Sequence, residues 1–216
     1  MRRVRILSAV IVTALVVLAC SAEKPAPPPG EVTPPAAVPS GATADARVVG
    51  QAPAAKGGLP AVVLLHPREP RQFPQQASAP VMDQISQTFT PGVMFVRTGQ
   101  ASEFRNSDEV LHNVRVRNDE TKAGAFNVAI PTGGSYTYTF EQDGFYDVGC
   151  DIHPGMSAVV VASSTPYTAL AATDGAFSLA NVTPGAYKLT IYADVRKLER
   201  DVDVIPGTTE LGAILE

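Results

Sequence analysis

The chain has no tryptophan, and its stock of soft or ligating side chains is small: two cysteines and three histidines in 216 residues. So few histidines exclude an enzyme built on several metal clusters, and no Cys-x-x-Cys-His is present to attach haem covalently. Lysine and arginine form no stripe of the kind that binds nucleic acid, and the formal net charge is −4. No long segment carries the 3.6-residue apolar period of an amphipathic helix. No nucleophile stands in a recognisable catalytic constellation, so an enzyme is not expected.

The opening "MRRVRILSAVIVTALVVLAC" has three arginines in five residues and then a charge-free apolar run, the layout of a secretory signal over residues 1–20. A small residue followed directly by Cys20 resembles the bacterial lipoprotein processing site, which implies lipid on Cys20. Plain cleavage and retention as an anchor remain open. Ser21 resembles an outer-membrane sorting signal, so the expected location is the bacterial periplasm or cell envelope, on a membrane through the N-terminal lipid. Residues 21–60 are rich in alanine, proline and glycine, with little to bury, and read as an extended tether. If Cys20 carries lipid, no disulfide can form, and Cys150 is a lone thiol in an oxidising compartment unless buried or bound to metal.

The remainder, roughly 150 residues, suffices for one or two small domains. It reads as short strands: "AVVLL" (61–65), "VMFVRTG" (93–99), "ASEFRN" (101–106), "HNVRVRN" (112–118), "AFNVAI" (125–130), "SYTYTF" (135–140), "FYDVGC" (145–150) and "SAVVVAS" (157–163). Turn residues such as Asp143-Gly144 separate them. In "SYTYTF" the aromatics Tyr136, Tyr138 and Phe140 share one face. The expectation is all-β, a sandwich or barrel.

Between two of these strands stands "CDIHPGM", which brings Cys150, His153 and Met156 within seven positions. A type I copper site needs two imidazoles, a thiolate and a weak axial ligand, often methionine. Two histidines remain to complete the set. His112 begins a strand after the polar turn "NSDEVL", where a strand end can project it beside the loop. His66, in "LLHPREP", is flanked by proline and reads as an ordinary surface histidine. Methionine argues against zinc, which takes cysteine, histidine or carboxylate.

"NSDEVLHNV" followed by "GFYDVGCDIHPGM" resembles the cupredoxins, the group of plastocyanin, amicyanin and pseudoazurin, and the two-residue spacing from His153 to Met156 matches amicyanin's short loop. The segment from "VMDQISQTF" onward resembles exported plastocyanin-like proteins labelled methylamine-utilisation-like. The resemblance implies a Greek-key β-sandwich holding one type I copper through His112, Cys150, His153 and Met156. It further implies that Asn113 ties the two ligand segments together and that Pro154 stiffens the loop. Plastocyanin has an aromatic residue before the cysteine. This chain has Gly149, which puts a remote electron exit there in doubt.

After residue 163, "TDG" before "AFSLANV" and "TPG" before "AYKLTIYA" are turns feeding alternating strands. They resemble the carboxypeptidase regulatory-like module, a small prealbumin-like β-sandwich. The domain expectation is therefore a cupredoxin at 61–163, with 61–79 able to pair instead with the C-terminal part, and a second sandwich at 164–216, to which the early "RVVGQAPAAKGGLPAVVLL" (47–65) can also supply strands. The expected function is single-electron transfer with an unidentified redox protein partner. Copper delivery and cell-surface binding without electron traffic are the alternatives.

Overall fold

The structure, a computed structural model, describes residues 45–54, 58–194 and 196–214. The expected signal segment, Cys20 and most of the expected tether lie outside the described residues. Among the described residues there are sixteen strands and no helix, and no helix is long and apolar enough to cross a membrane. The strands form four sheets, and these pair around two principal cores.

The first sandwich begins at residue 81. One sheet takes the order β4 (Thr88–Thr90), β3 (Val81–Ile85), β6 (Ala101–Asn106), β9 (Ser135–Thr139). The other takes β5 (Val93–Arg97), β11 (Ser157–Ser163), β10 (Gly144–Gly149), β7 (His112–Asn118), β8 (Gly124–Ile130). The neighbours β7–β10 and β5–β11 are far apart in sequence, the kind of return that Greek-key sandwiches use. Between the sheets lie Met82, Phe89, Phe104, Val114, Val116, Phe140 and Val160, all buried. The face of β9 that carries Tyr136 and Tyr138 packs on this core beside Phe140, as its two-residue alternation requires.

The second sandwich uses both ends of the described chain. Its sheets are β13 (Ala176–Val182), β1 (Ala46–Gln51), β16 (Thr208–Ala213), and β12 (Thr168–Leu170), β2 (Val62–Pro67), β14 (Gly185–Ala193), β15 (Arg196–Val204). This corrects the tether expected to run to residue 60. Ala46–Gln51 is the central strand of its sheet, with Ala46 and Val48 buried and Arg47 outward. Its partners lie more than 120 residues downstream, which assigns the stretch from Arg47, open between tether and strand in the sequence, to the second sandwich. Val62–Pro67 likewise pairs with β12 and β14, which removes it from the first sandwich.

Two strands are buried on both faces, and their unbroken apolar runs follow from that. In β11, Ala158, Val160 and Ala162 face the first core while Val159 and Val161 enter a third cluster. In β2, Val63 and Leu65 face the second core while Val62 and Leu64 enter the same third cluster. Val93, Phe95, Phe145 and Tyr192 close its edges. Each such valine or leucine, fully buried, contributes about 1.5–3 kcal/mol. This seam fastens the outer face of the sheet that contains β11 and β10 to the second sandwich.

Candidate metal centre

His112 opens β7 and Gly149 closes β10, the antiparallel neighbour of β7. Cys150 follows immediately, so the pairing that places Gly149 opposite Arg115 also brings Cys150 back toward the start of β7. The loop after Cys150 is then closed by a tight turn. The Met156 amide donates to the His153 carbonyl at 3.3 Å, and the Cys150 amide to the Met156 carbonyl at 3.4 Å. Pro154 occupies the second position of this turn and Gly155 the third, at φ 100°, the residue preferences of a type II turn. Pro154 is exposed and Met156 buried in the first core beside Cys150.

The result is a compact donor triangle. Nδ1 of His112 and Nδ1 of His153 are 2.9 Å apart, and Cys150 Sγ lies 3.9 Å from the first and 3.8 Å from the second. A point in the plane of these atoms stands about 2.1 Å from each, which fits metal–nitrogen distances of about 2.0–2.1 Å and is slightly short of metal–sulfur distances near 2.3 Å. Among the described residues this is the group of histidine, cysteine and carboxylate side chains able to hold an ion. His112 and Cys150 are buried and His153 is half-buried. His66 is elsewhere, in β2, 3.6 Å from Asp143.

Asn113 holds the triangle together. Its Oδ1 accepts from the Asp151 amide at 2.6 Å, the Ile152 amide at 3.3 Å and the Cys150 thiol at 3.4 Å. Its Nδ2 donates to Asn127 Oδ1 at 2.8 Å and Asp151 Oδ2 at 3.3 Å. Asp151 also accepts from Arg115 at 2.6 Å and Asn127 at 2.9 Å. These partners, the Arg115 guanidinium foremost, hold its carboxyl below the ordinary carboxylate range. Arg115 reaches over Gly149: a Cβ there would lie 2.8 Å from its guanidinium nitrogen. The space that an aromatic residue would take beside the cysteine is thus filled from the neighbouring strand.

Sequence reasoning missed Asp108. Its Oδ2 lies 2.8 Å from His112 Nε2, so this carboxylate can accept an Nε2 proton and fixes the ring with Nδ1 toward Cys150 and His153. The carboxylate also accepts amides of Ser86 at 2.6 Å and Gln87 at 2.8 Å. The Gln87 amide, with smaller help from His112 and Ser86, keeps its carboxyl below the ordinary range. Asn106, buried, secures the same loop by donating to the carbonyls of Val110 at 2.9 Å and Ile130 at 2.8 Å and accepting from the Asp108 amide at 3.0 Å. The available signal was an acid four residues before a candidate ligand.

Residues 78–163 match the family described as copper binding proteins, plastocyanin/azurin family. Solved structures similar to this chain include a purple cupredoxin from Nitrosopumilus maritimus, 22% identical over 39% of this chain and 99% of that one, with a TM-score of 0.35. A reduced amicyanin variant is 25% identical over 41% of this chain and 85% of that one, with a TM-score of 0.37. A copper-containing nitrite reductase from Thermus scotoductus SA-01 is 21% identical over 45% of this chain and 25% of that one, again at 0.37. A comparison with curated proteins gave no match. The likeness to the copper-binding family thus falls on the first sandwich and on the segment that contains all four expected ligands.

Proposed function

We propose that this chain is an exported type I copper protein that carries single electrons between redox partners, with His112, Cys150 and His153 as the strong ligands and Met156 as the axial one. The observation that supports it is the triangle of two imidazole nitrogens and one sulfur, closed on a buried cysteine. Bound copper would supply a one-electron Cu(II)/Cu(I) couple. Thiolate and thioether favour copper over harder ions, and a loop held by Asn113 and the Pro154-Gly155 turn resists the ligand movement that a change of oxidation state otherwise demands.

His153, half-buried on the exposed loop, is the ligand through which a partner's electron would pass. The two ligand loops expose Val110, Leu111 and Ile152 at 44%, 51% and 44%, an apolar rim suited to brief docking with a redox protein. In this reading Cys20 carries lipid in the periplasm, which the mass of the mature chain checks, and the second sandwich is a carboxypeptidase regulatory-like module with a structural role. The chain is a carrier and performs no chemistry on a substrate.

Stepwise titration of the copper-loaded chain tests the proposal: reversible one-electron cycling with retention of the ion supports a carrier. Transfer of the ion itself to an acceptor under the same conditions supports copper delivery, the alternative that the same donor set serves.

A further inference from the structure

The β3–β4 hairpin turns on two residues, Ser86 at φ 52° and Gln87 at φ 54°. Both central residues in the left-handed region define a type I′ turn, for which Asn-Gly is the favoured pair. Serine and glutamine are poor choices on local grounds, since in that region Cβ crowds the following carbonyl oxygen. Their amides are not left to solvent. Ser86 donates to one Asp108 oxygen and Gln87 to the other. The oxygen that receives Gln87 also faces Nε2 of His112 at 2.8 Å. A surface turn and a buried histidine therefore share one carboxylate oxygen.

We infer that the Ser86–Gln87 turn is a control element of the metal centre, acting on His112 through Asp108. This rests on the copper reading of the site. A carboxylate that accepts two amides has part of its charge neutralised and pulls less on a third donor. With the amides in place, the carboxylate draws weakly on Nε2–H and Nδ1 is a moderate donor to a bound ion. When the turn opens, the full carboxylate charge bears on Nε2–H, the imidazole gains electron density, and Nδ1 favours the higher oxidation state of the bound ion. Ser86 and Gln87 are exposed, with Ile85 beside them 45% exposed, so contact at the turn can alter the site without touching a ligand.

Asp108 is a positioning residue in this scheme, and three full-length variants separate its parts. Ser86→Pro removes one amide and forces φ out of the left-handed region, so both turn bonds are lost. A paired change of Ser86→Asn with Gln87→Gly keeps the turn and both amides. Asp108→Asn removes the charge while retaining an oxygen acceptor. The first readout is the ratio of Cu(II) to Cu(I) affinity; the second, independent of copper, is the position of the His112 Nε2–H resonance in the metal-free protein.

Expected for Ser86→Pro is a ratio raised by about tenfold, within the range that groups behind a ligand command, and a shifted resonance. Asp108→Asn should lower the ratio, and the Asn-Gly turn should match the unmodified chain. An unchanged ratio and resonance in a folded Ser86→Pro protein overturns the inference, and so does an Asn-Gly turn that shifts both as strongly as proline. If the unmodified chain forms no type I site, the copper reading fails by itself, while the metal-free resonance still decides whether the turn governs His112.

Discussion

The carboxamide oxygen of Asn113 lies 2.6 Å from the Asp151 amide and 3.4 Å from the Cys150 sulfur, so the strand that begins with one histidine holds the loop that carries the other. Replacing Asn113 with alanine strands two loop amides. The expected cost is about 1–3 kcal/mol in unfolding free energy and a loss of about 10–100-fold in copper affinity. Denaturant melts and a competition titration measure both. Unchanged affinity would show that the loop keeps its shape without this residue.

The seam between the sandwiches gives a second expectation. Leu64 is 3% exposed and packs with Val159 and Val161, whereas Leu65 faces the second core. Leu64→Ala should cost about 2–5 kcal/mol, as core truncations do, although Leu64 belongs to neither principal core. A loss below 1 kcal/mol in calorimetry would mean that the seam is not packed as described.

Gly149 offers a contrasting case. A Cβ there would displace only the end of Arg115, which is flexible, and loosen its exposed pair with Asp151. Such pairs are worth about 0–1 kcal/mol, so Gly149→Ala should fold with a loss no larger than that. A loss of several kcal/mol in a thermal melt would show that the space over Gly149 is closed by something less movable.

Much of this arrangement was legible in the sequence. The strands from residue 93 to 163 fall where alternation and turn residues placed them, because each side chain's face is fixed by its neighbours two positions away. The spacing of Cys150, His153 and Met156 was plain for the same local reason. What escaped depends on pairing across the sheet. Arg115 covers Gly149 only through the register of β7 on β10, and Asp108 meets the Ser86–Gln87 turn across more than 20 residues. The place of Ala46–Gln51 stayed open between tether and second sandwich because only Ala46 and Val48 are buried in it and its partners are distant.

His66 predicts a pH dependence. Burial holds its imidazole below the ordinary 6.5, opposed by Asp143 and Glu199 and aided by Lys188 and Lys197. The unfolded chain then takes up the proton first as pH falls. The stability contribution is complete above about 6.5 and is lost as pH drops through that value toward the folded-state one. His66→Gln should flatten unfolding free energy between pH 7 and 5; an identical slope in both proteins would contradict this.

The central claim is that His112, Cys150 and His153 bind copper as a type I site. Its most direct measurement is a visible and electron paramagnetic resonance spectrum of the full chain after addition of Cu(II), repeated for His112→Ala and His66→Ala. Expected is an intense thiolate-to-copper band with compressed hyperfine splitting, lost in the first variant and retained in the second. A pale adduct with an ordinary tetragonal signal, or an intense band that survives loss of His112, would contradict it.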